Sequence, residues 1–255
     1  MIKPKKSLGQ HFLTDRNVLN NIVREVNAVN QDRIIEIGPG TGALTRYLVS
    51  KSTDVHALEV DERAIELLKG ELPEVHLHKQ DVLKADWEAL IARDGDTYVV
   101  GNLPYYITSP ILFALLAHRT QFKEAILMMQ KEVAERLVAN SSTKAYGILS
   151  VQTQLMSTPE LLFDVSPNSF SPPPKVMSSV IRLRFNSPAL GCTDHALKHV
   201  VRTAFNQRRK KLSNALKRVL GDYIPPGFDL DERAEHWSPQ TYAKLAEHLE
   251  QNDIL

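Results

Sequence analysis

Only one cysteine, Cys192, occurs in the 255 residues. A lone thiol cannot close an internal disulfide, which excludes the disulfide-stapled secreted class and fits a reducing compartment. Long apolar runs are missing too. The stretch from Ile111 to Ala117 falls far short of the roughly 20 residues a membrane span needs. The start, Met1-Ile2-Lys3-Pro4-Lys5-Lys6, is basic but is followed by no apolar stretch of signal-peptide length, so a cytoplasmic chain with no membrane partner is expected. Neither sign of charge is in excess: 31 basic residues against 30 acidic ones leave a net charge of +1. Internal repeats and low-complexity tracts are absent. What remains, 43% hydrophobic and 24% charged, is the composition of a globular protein, long enough for one large domain or a medium one with an appendage.

A local absence carries more information than the net charge. No Asp or Glu lies between His195 and Gly221, whereas Lys198, Arg202, Arg208, Arg209, Lys210, Lys211, Lys217 and Arg218 all do. Lys3, Lys5 and Lys6 form a second basic cluster, and Lys175, Arg182 and Arg184 a third. A solvated helix face is the usual account of such runs, but those faces mix signs; segregated charge favours phosphate binding. The residues expected to grip nucleic acid are Lys5, Lys6, Lys175, Arg202, Arg208, Arg209, Lys210 and Lys211.

From residue 33 the pattern alternates strand and helix. Apolar runs at 33–37, 55–60, 75–77, 97–100 and 125–129 predict buried parallel strands. Helical stretches at 43–50, 62–70, 87–93 and 110–118 separate them, which predicts a doubly wound α/β sheet with right-handed crossovers. Helices at 133–140 and 146–156 and strands at 160–165 and 178–185 continue the chain, the strands flanking Ser169-Phe170-Ser171-Pro172-Pro173-Pro174-Lys175. Its consecutive prolines stop that loop from joining the sheet. Asn186-Ser187-Pro188 marks a boundary, and helices at 195–204, 210–220, 230–235 and 239–250 follow. Two domains are therefore expected: residues 1–185, beginning with a basic segment over 1–20, and a small all-helical domain over 186–255.

Candidate site residues fall at strand ends, where open α/β sheets bind ligands. The first strand runs into Glu36-Ile37-Gly38-Pro39-Gly40-Thr41-Gly42-Ala43, whose glycines let the backbone approach a ligand closely. A dinucleotide fingerprint is formally possible at Gly38, Gly40 and Ala43; Pro39 and the additional Gly42 fit better with the tighter loop of nucleoside-binding methyltransferases. Glu59 closes the second strand and can accept from both ribose hydroxyls. Asp81 follows the third and can accept from an adenine amine. Either acid alone is more commonly a surface carboxylate; together with the loop and Asn102 they describe an adenosyl group lying along the sheet edge.

The fourth strand ends in Asn102-Leu103-Pro104-Tyr105-Tyr106, with Ser109-Pro110 opening a helix. The Asn102 side-chain oxygen and the Leu103 carbonyl can accept both hydrogens of an exocyclic amine while Tyr105 stacks on the ring. A rigid strand-to-helix turn is the plainer account of this segment by itself. Phe170 of the Pro-rich loop is either a second ring against the base or an anchor of its loop in the core.

With these motifs the chain resembles the adenine N6-dimethyltransferases of ribosomal RNA. The likeness runs nearly end to end: Lys6-Ser7-Leu8-Gly9-Gln10-His11-Phe12-Leu13, Glu36 to Gly42, Asn102 to Tyr105, Phe170 to Val176, and Ala204-Phe205-Asn206-Gln207-Arg208-Arg209-Lys210-Lys211-Leu212. The last stretch is similar to the bacterial small-subunit (16S) branch, whose loss gives kasugamycin resistance. The resemblance implies a Rossmann-like class I methyltransferase fold and S-adenosylmethionine as cofactor. It implies cofactor contacts at His11, Leu13, Gly38, Gly40, Glu59, Asp81 and Asn102, with His11 standing where many members have Asn. It implies Asn102, Leu103, Tyr105 and Phe170 at the reacting base, two adjacent N6,N6-dimethyladenosines near the 3′ end of 16S rRNA as product, and no metal; a monomer is expected. Three rivals stay open: a large-subunit methyltransferase of the macrolide-resistance type, a DNA adenine methyltransferase, for which the helical tail is too small a reading domain, and a non-catalytic assembly factor.

Overall fold

The computed structural model describes residues 2–5, 8–91, 94–186 and 189–255. Lys6, Arg93 and the Ser187-Pro188 pair of the expected boundary lie outside them. The strands are β1 (Phe12–Leu13), β2 (Arg33–Ile37), β3 (Asp54–Glu59), β4 (His76–Lys79), β5 (Thr97–Asn102), β6 (Glu124–Gln130), β7 (Thr158–Val165), β8 (Phe170–Ser171) and β9 (Ser178–Arg184). Seven of them form one sheet in the order β4-β3-β2-β5-β6-β9-β7. Strands β2 to β6 run parallel, and β9 returns antiparallel to β6. Strand order reverses between β2 and β5, so the crossovers diverge there and leave a crevice at the carboxyl edge.

The apolar runs become strands because residues on both faces find cover. Ile34, Ile35, Ala57, Val99, Val100, Ala125 and Leu127 are all fully buried. One face meets a helix that the sequence does not announce, α1 (Arg16–Glu25), which begins within the expected basic segment over 1–20. Asp15 caps it by accepting from the Asn17 and Val18 N–H groups, and Leu19, Ile22 and Val23 recur at helical spacing to join Ile34, Val55, Tyr98 and Ile126 in the core. Burial of three such side chains stabilises by about 1.5–3 kcal/mol each.

The crossover helices are α2 (Thr45–Leu48), α3 (Glu62–Glu71), α4 (Trp87–Leu90) and α5 (Thr108–Ala117), and α6 (Lys131–Leu137) follows β6. Then come α7 (Ile148–Met156), α8 (Asp194–Asn206), α9 (Leu212–Ala215), α10 (Lys217–Leu220) and α11 (Pro239–Gln251). The expected helix over 210–220 is thus two short ones that break at Leu216, and the expected 230–235 helix is a single tight turn at Ala234–His236.

The chain divides into two compact units, Met1–Ala134 with Glu160–Phe185, and Glu135–Pro159 with Asn186–Leu255. The sequence puts residues 135–159 with the sheet; the structure groups them with the C-terminal helices. The reason is visible at Tyr146, which is fully buried and donates its hydroxyl to the Trp237 carbonyl at 2.9 Å. Around it α7, α8 and α11 share a core of Val151, Val200, Val201, Ala204, Tyr242, Leu245 and Leu249.

Candidate active site

At the carboxyl edge of β2, β3 and β5, a pocket of about 370 Å³ is lined by His11, Leu13, Gly38, Gly40, Glu59, Asp81, Asn102, Leu103 and Tyr105. Every cofactor contact expected from the sequence meets there, together with three of the four residues placed at the base. The fourth, Phe170, does not. Strands β1 and β8 pair Phe170 with Leu13, and its ring is 4% exposed among Leu13, Leu19, Val165 and Val180. Phe170 is an anchor of the Pro-rich loop, because its apolar ring gains more from the core than from the pocket rim.

The glycine loop is held from β3. Glu59 Oε2 accepts the Gly40 N–H at 3.1 Å, and Oε1 accepts those of Val60 and Asp61 at 2.8 and 2.9 Å. Gly40 sits at φ +54°, and a Cβ there would come within 2.9 Å of the Phe12 ring. Gly38, at φ +68°, has open space where its Cβ would stand. The loop therefore presents bare backbone to the pocket, as close approach of a ligand requires.

Asn102, at the end of β5, donates from Nδ2 to the main-chain carbonyl of His11 at 3.1 Å. That bond spends the donor end of the amide and leaves Oδ1 as the acceptor end. His11 is fixed in turn. Its Nδ1 lies 2.8 Å from the Pro172 carbonyl, which can only accept, so the proton is on Nδ1. Its ring stacks with that of Tyr105 at 5.7 Å and 23°. The Tyr105 hydroxyl is 2.6 Å from Ser178 Oγ on β9, and burial raises its pKa. Leu103 is buried and its N–H donates to Met128 O at 2.9 Å. Asp81 is exposed and caps a short turn by accepting from Leu83 N–H at 3.0 Å.

Several pocket residues were not singled out from the sequence. Glu36 lines the wall at 2% exposure, and its Oε2 has no hydrogen-bond partner among the described residues. Burial, reinforced by Glu59 nearby and opposed by the Thr45 hydroxyl, pushes it up to about 8. The available signal was an acid two places before the first glycine of an otherwise apolar strand. Gly9 and Tyr106 form the rim, Tyr106 being 60% exposed. Asp61, buried beside Glu59, bonds Arg63 at 2.6 Å, Gln10 at 3.2 Å and Lys5 at 3.3 Å. The Arg63 bonds, before those of Gln10 and Lys5, hold its carboxyl well below the usual range. These contacts clip the N-terminal segment over the pocket, and Lys5 spends its charge there.

Other basic residues are also committed to structure. Arg182 is buried between Glu25 at 2.7 Å and Glu124 and Glu160 at 3.2 Å, and Arg184 lies 2.9 Å from Glu160. The expected third basic cluster is thereby neutralised, apart from Lys175, which is exposed. Arg208 donates to the carbonyls of Thr143 and Lys144 at 3.1 and 3.2 Å and stands 3.5 Å from Glu235. Lys211 pairs with Asp231 at 3.0 Å. Arg202, Arg209 and Lys210 are exposed and make no ion pair with a described residue.

Comparison with known proteins turns this geometry into a family. The model of the family described as ribosomal RNA adenine dimethylase matches residues 1–250. The chain belongs to that family. It is 48% identical to ribosomal RNA small subunit methyltransferase A of Salinibacter ruber, over 97% of this chain and 86% of that one. Among solved structures it is similar to a dimethyladenosine transferase from Plasmodium falciparum, with a TM-score of 0.79, 26% identity and 96% and 98% of the two chains covered. It is also similar to the 23S rRNA methyltransferase ErmE, with a TM-score of 0.68, 26% identity and 94% and 100% covered. As a member of the ribosomal RNA adenine dimethylase family the chain is an enzyme, a methyltransferase with the α/β fold of its class. No helix of the described residues is long and apolar enough to cross a membrane.

Proposed function

We propose that this enzyme binds S-adenosylmethionine in the strand-end pocket and dimethylates N6 of two adjacent adenosines near the 3′ end of 16S rRNA, in the small ribosomal subunit or its precursor. The observation that carries this reading is the Asn102 amide, whose oxygen is left as an acceptor beside a backbone carbonyl and an aromatic ring at the mouth of a pocket made for an adenosyl group. The name of the Salinibacter relative supports the small subunit as substrate.

The residues fit the cofactor. Gly38 and Gly40 offer bare backbone, Glu59 and Asp81 offer carboxylates at successive strand ends, and the unpaired oxygen of Glu36 is a buried polar atom facing the same space. When bound, the cofactor supplies a methyl group made electrophilic by its sulfonium. The chain's own work is to present the nitrogen. Adenine N6 is a weak nucleophile because its lone pair is delocalised into the ring. Acceptance of both N–H hydrogens, by Asn102 Oδ1 and the Leu103 carbonyl, favours a tetrahedral nitrogen as charge develops, a contact that strengthens in the transition state. Tyr105, held by Ser178 and backed by His11, fixes the plane of the base. Orientation of this kind is worth effective molarities of about 10⁵ M or more. No general base is needed, since the nitrogen becomes acidic after attack.

An adenine can enter only when unstacked, so the target is a loop or an opened helix. Of the expected phosphate contacts, Arg202, Arg209, Lys210 and Lys175 make no ion pair with a described residue and would hold RNA phosphates, with the helical unit as the RNA-binding domain. The enzyme acts as a cytoplasmic monomer in this reading. The likeness to ErmE supports a second reading, methylation of the large subunit. Labelled methyl transfer to unmethylated small and large subunits separates them: label in small-subunit RNA supports the first, label confined to large-subunit RNA the second.

A further inference from the structure

Toward the amino ends of β3 and β4, at the sheet edge away from the pocket, four side chains stand together that methyl transfer does not use. Asp54 and His56 share one face of β3. His76 is the register partner of His56 on β4, and His78 follows on the same face. The donor atoms of Asp54, His56 and His76 all lie within 4.8 Å of one another. We propose that Asp54, His56 and His76 form a binding site for a divalent transition-metal ion of the zinc class, which pins the edge strand β4 to β3.

The spacing suits one ion. Tetrahedral ligands at about 2.0–2.2 Å from a metal stand about 3.4 Å from each other, and His56 Nε2, 2.9 Å from Asp54 Oδ1, needs only a small side-chain shift to admit the ion. The outer partners are in place as well. His56 Nε2–H donates to Asp54 Oδ1, and Nδ1 is 2.8 Å from His78 Nε2; an ion seated between His56 and Asp54 would take the Nε2 lone pair, with the proton then on Nδ1 and donated to His78. The other Asp54 oxygen accepts from Arg33 Nε at 2.8 Å. A ligating imidazole that donates to an acceptor, and a ligating carboxylate that is itself hydrogen-bonded, are how proteins orient metal ligands. His76 is exposed, so the ion has an entry path and room for water as further ligands. Two imidazoles and one carboxylate select borderline ions; magnesium and calcium want oxygen throughout.

The test is calorimetric titration of the metal-free full chain with Zn²⁺, beside thermal melts with and without chelator. The variants are His76→Gln, His78→Gln and, as a control on the other histidine pair, His195→Gln/His199→Gln, whose rings stack at 6.3 Å on α8. The expected result is one ion per wild-type chain and a melting temperature that rises with Zn²⁺ and falls back with chelator. His76→Gln loses both, His78→Gln weakens binding about 10–100-fold, and the control pair behaves as wild type. His76 is exposed, so its variant folds, which the metal-free melt verifies. Equal binding by wild type and His76→Gln overturns the proposal, as does loss confined to the control variant. No binding at micromolar Zn²⁺ overturns it too, and leaves the cluster as a hydrogen-bonded chain only.

Discussion

The Tyr105 hydroxyl and Ser178 Oγ are 2.6 Å apart, and Ser178 is fully buried. The ring that is to stack on the base is thus tied to the first residue of β9. Tyr105→Phe keeps the ring and near-normal turnover but leaves Ser178 Oγ unpaired, at a cost of about 1–3 kcal/mol in stability. Tyr105→Phe/Ser178→Ala recovers part of that loss, and Tyr105→Ala loses turnover. Denaturant unfolding alongside methyl-transfer rates checks this; an unchanged midpoint for Tyr105→Phe contradicts it.

Glu36 makes stability depend on pH. Its folded value of about 8 lies above its ordinary 4.5, so between these pH values the folded state holds a proton that the unfolded state has lost. Stability from this group is complete below about pH 4.5 and declines as pH rises to about 8. Glu36→Gln removes the decline, so the stability of the variant relative to wild type grows over that window. Unfolding midpoints of the cofactor-free proteins at pH 5, 6, 7 and 8 test it, and parallel profiles refute it.

Arg209 and Lys210 separate RNA docking from folding. Their joint change to Gln should weaken subunit binding and flatten its salt dependence by about 0.7–0.9 log units per lost phosphate contact, with an unchanged melt. Arg208→Gln should instead lower the melting temperature, since it frees the Thr143 and Lys144 carbonyls and Glu235. An unaltered salt slope for the Arg209/Lys210 variant rules out the docking role.

Strands β2, β3, β5 and β6 are legible in the sequence because central strands are covered on both faces and read as continuous apolar runs. The strand-end residues are legible because their chemistry, a glycine loop and then Glu59, Asp81 and Asn102, recurs once per strand. Helix α1 was hidden because Leu19, Ile22 and Val23 stand among polar residues close to a basic start. The grouping of residues 135–159 with the C-terminal helices depends on Tyr146 meeting Trp237, 91 positions away. Arg182 looks like a free cation until the fold brings Glu25, Glu124 and Glu160 around it. For Tyr146 and Arg182 a contact distant in sequence decides, and local pattern is silent.

The proposed chemistry turns on Asn102, whose amide oxygen is oriented by the bond from Nδ2 to the His11 carbonyl. The decisive measurement is single-turnover methylation of unmethylated small subunits with labelled S-adenosylmethionine, the product nucleotides mapped, for wild type and Asn102→Ala. The predicted result is N6,N6-dimethyladenosine at two adjacent positions near the 3′ end of 16S rRNA. Asn102→Ala should be slower by about 10² or more, with subunit binding intact. A near-normal single-turnover rate for a folded Asn102→Ala, or methyl groups on another atom or base, would contradict it.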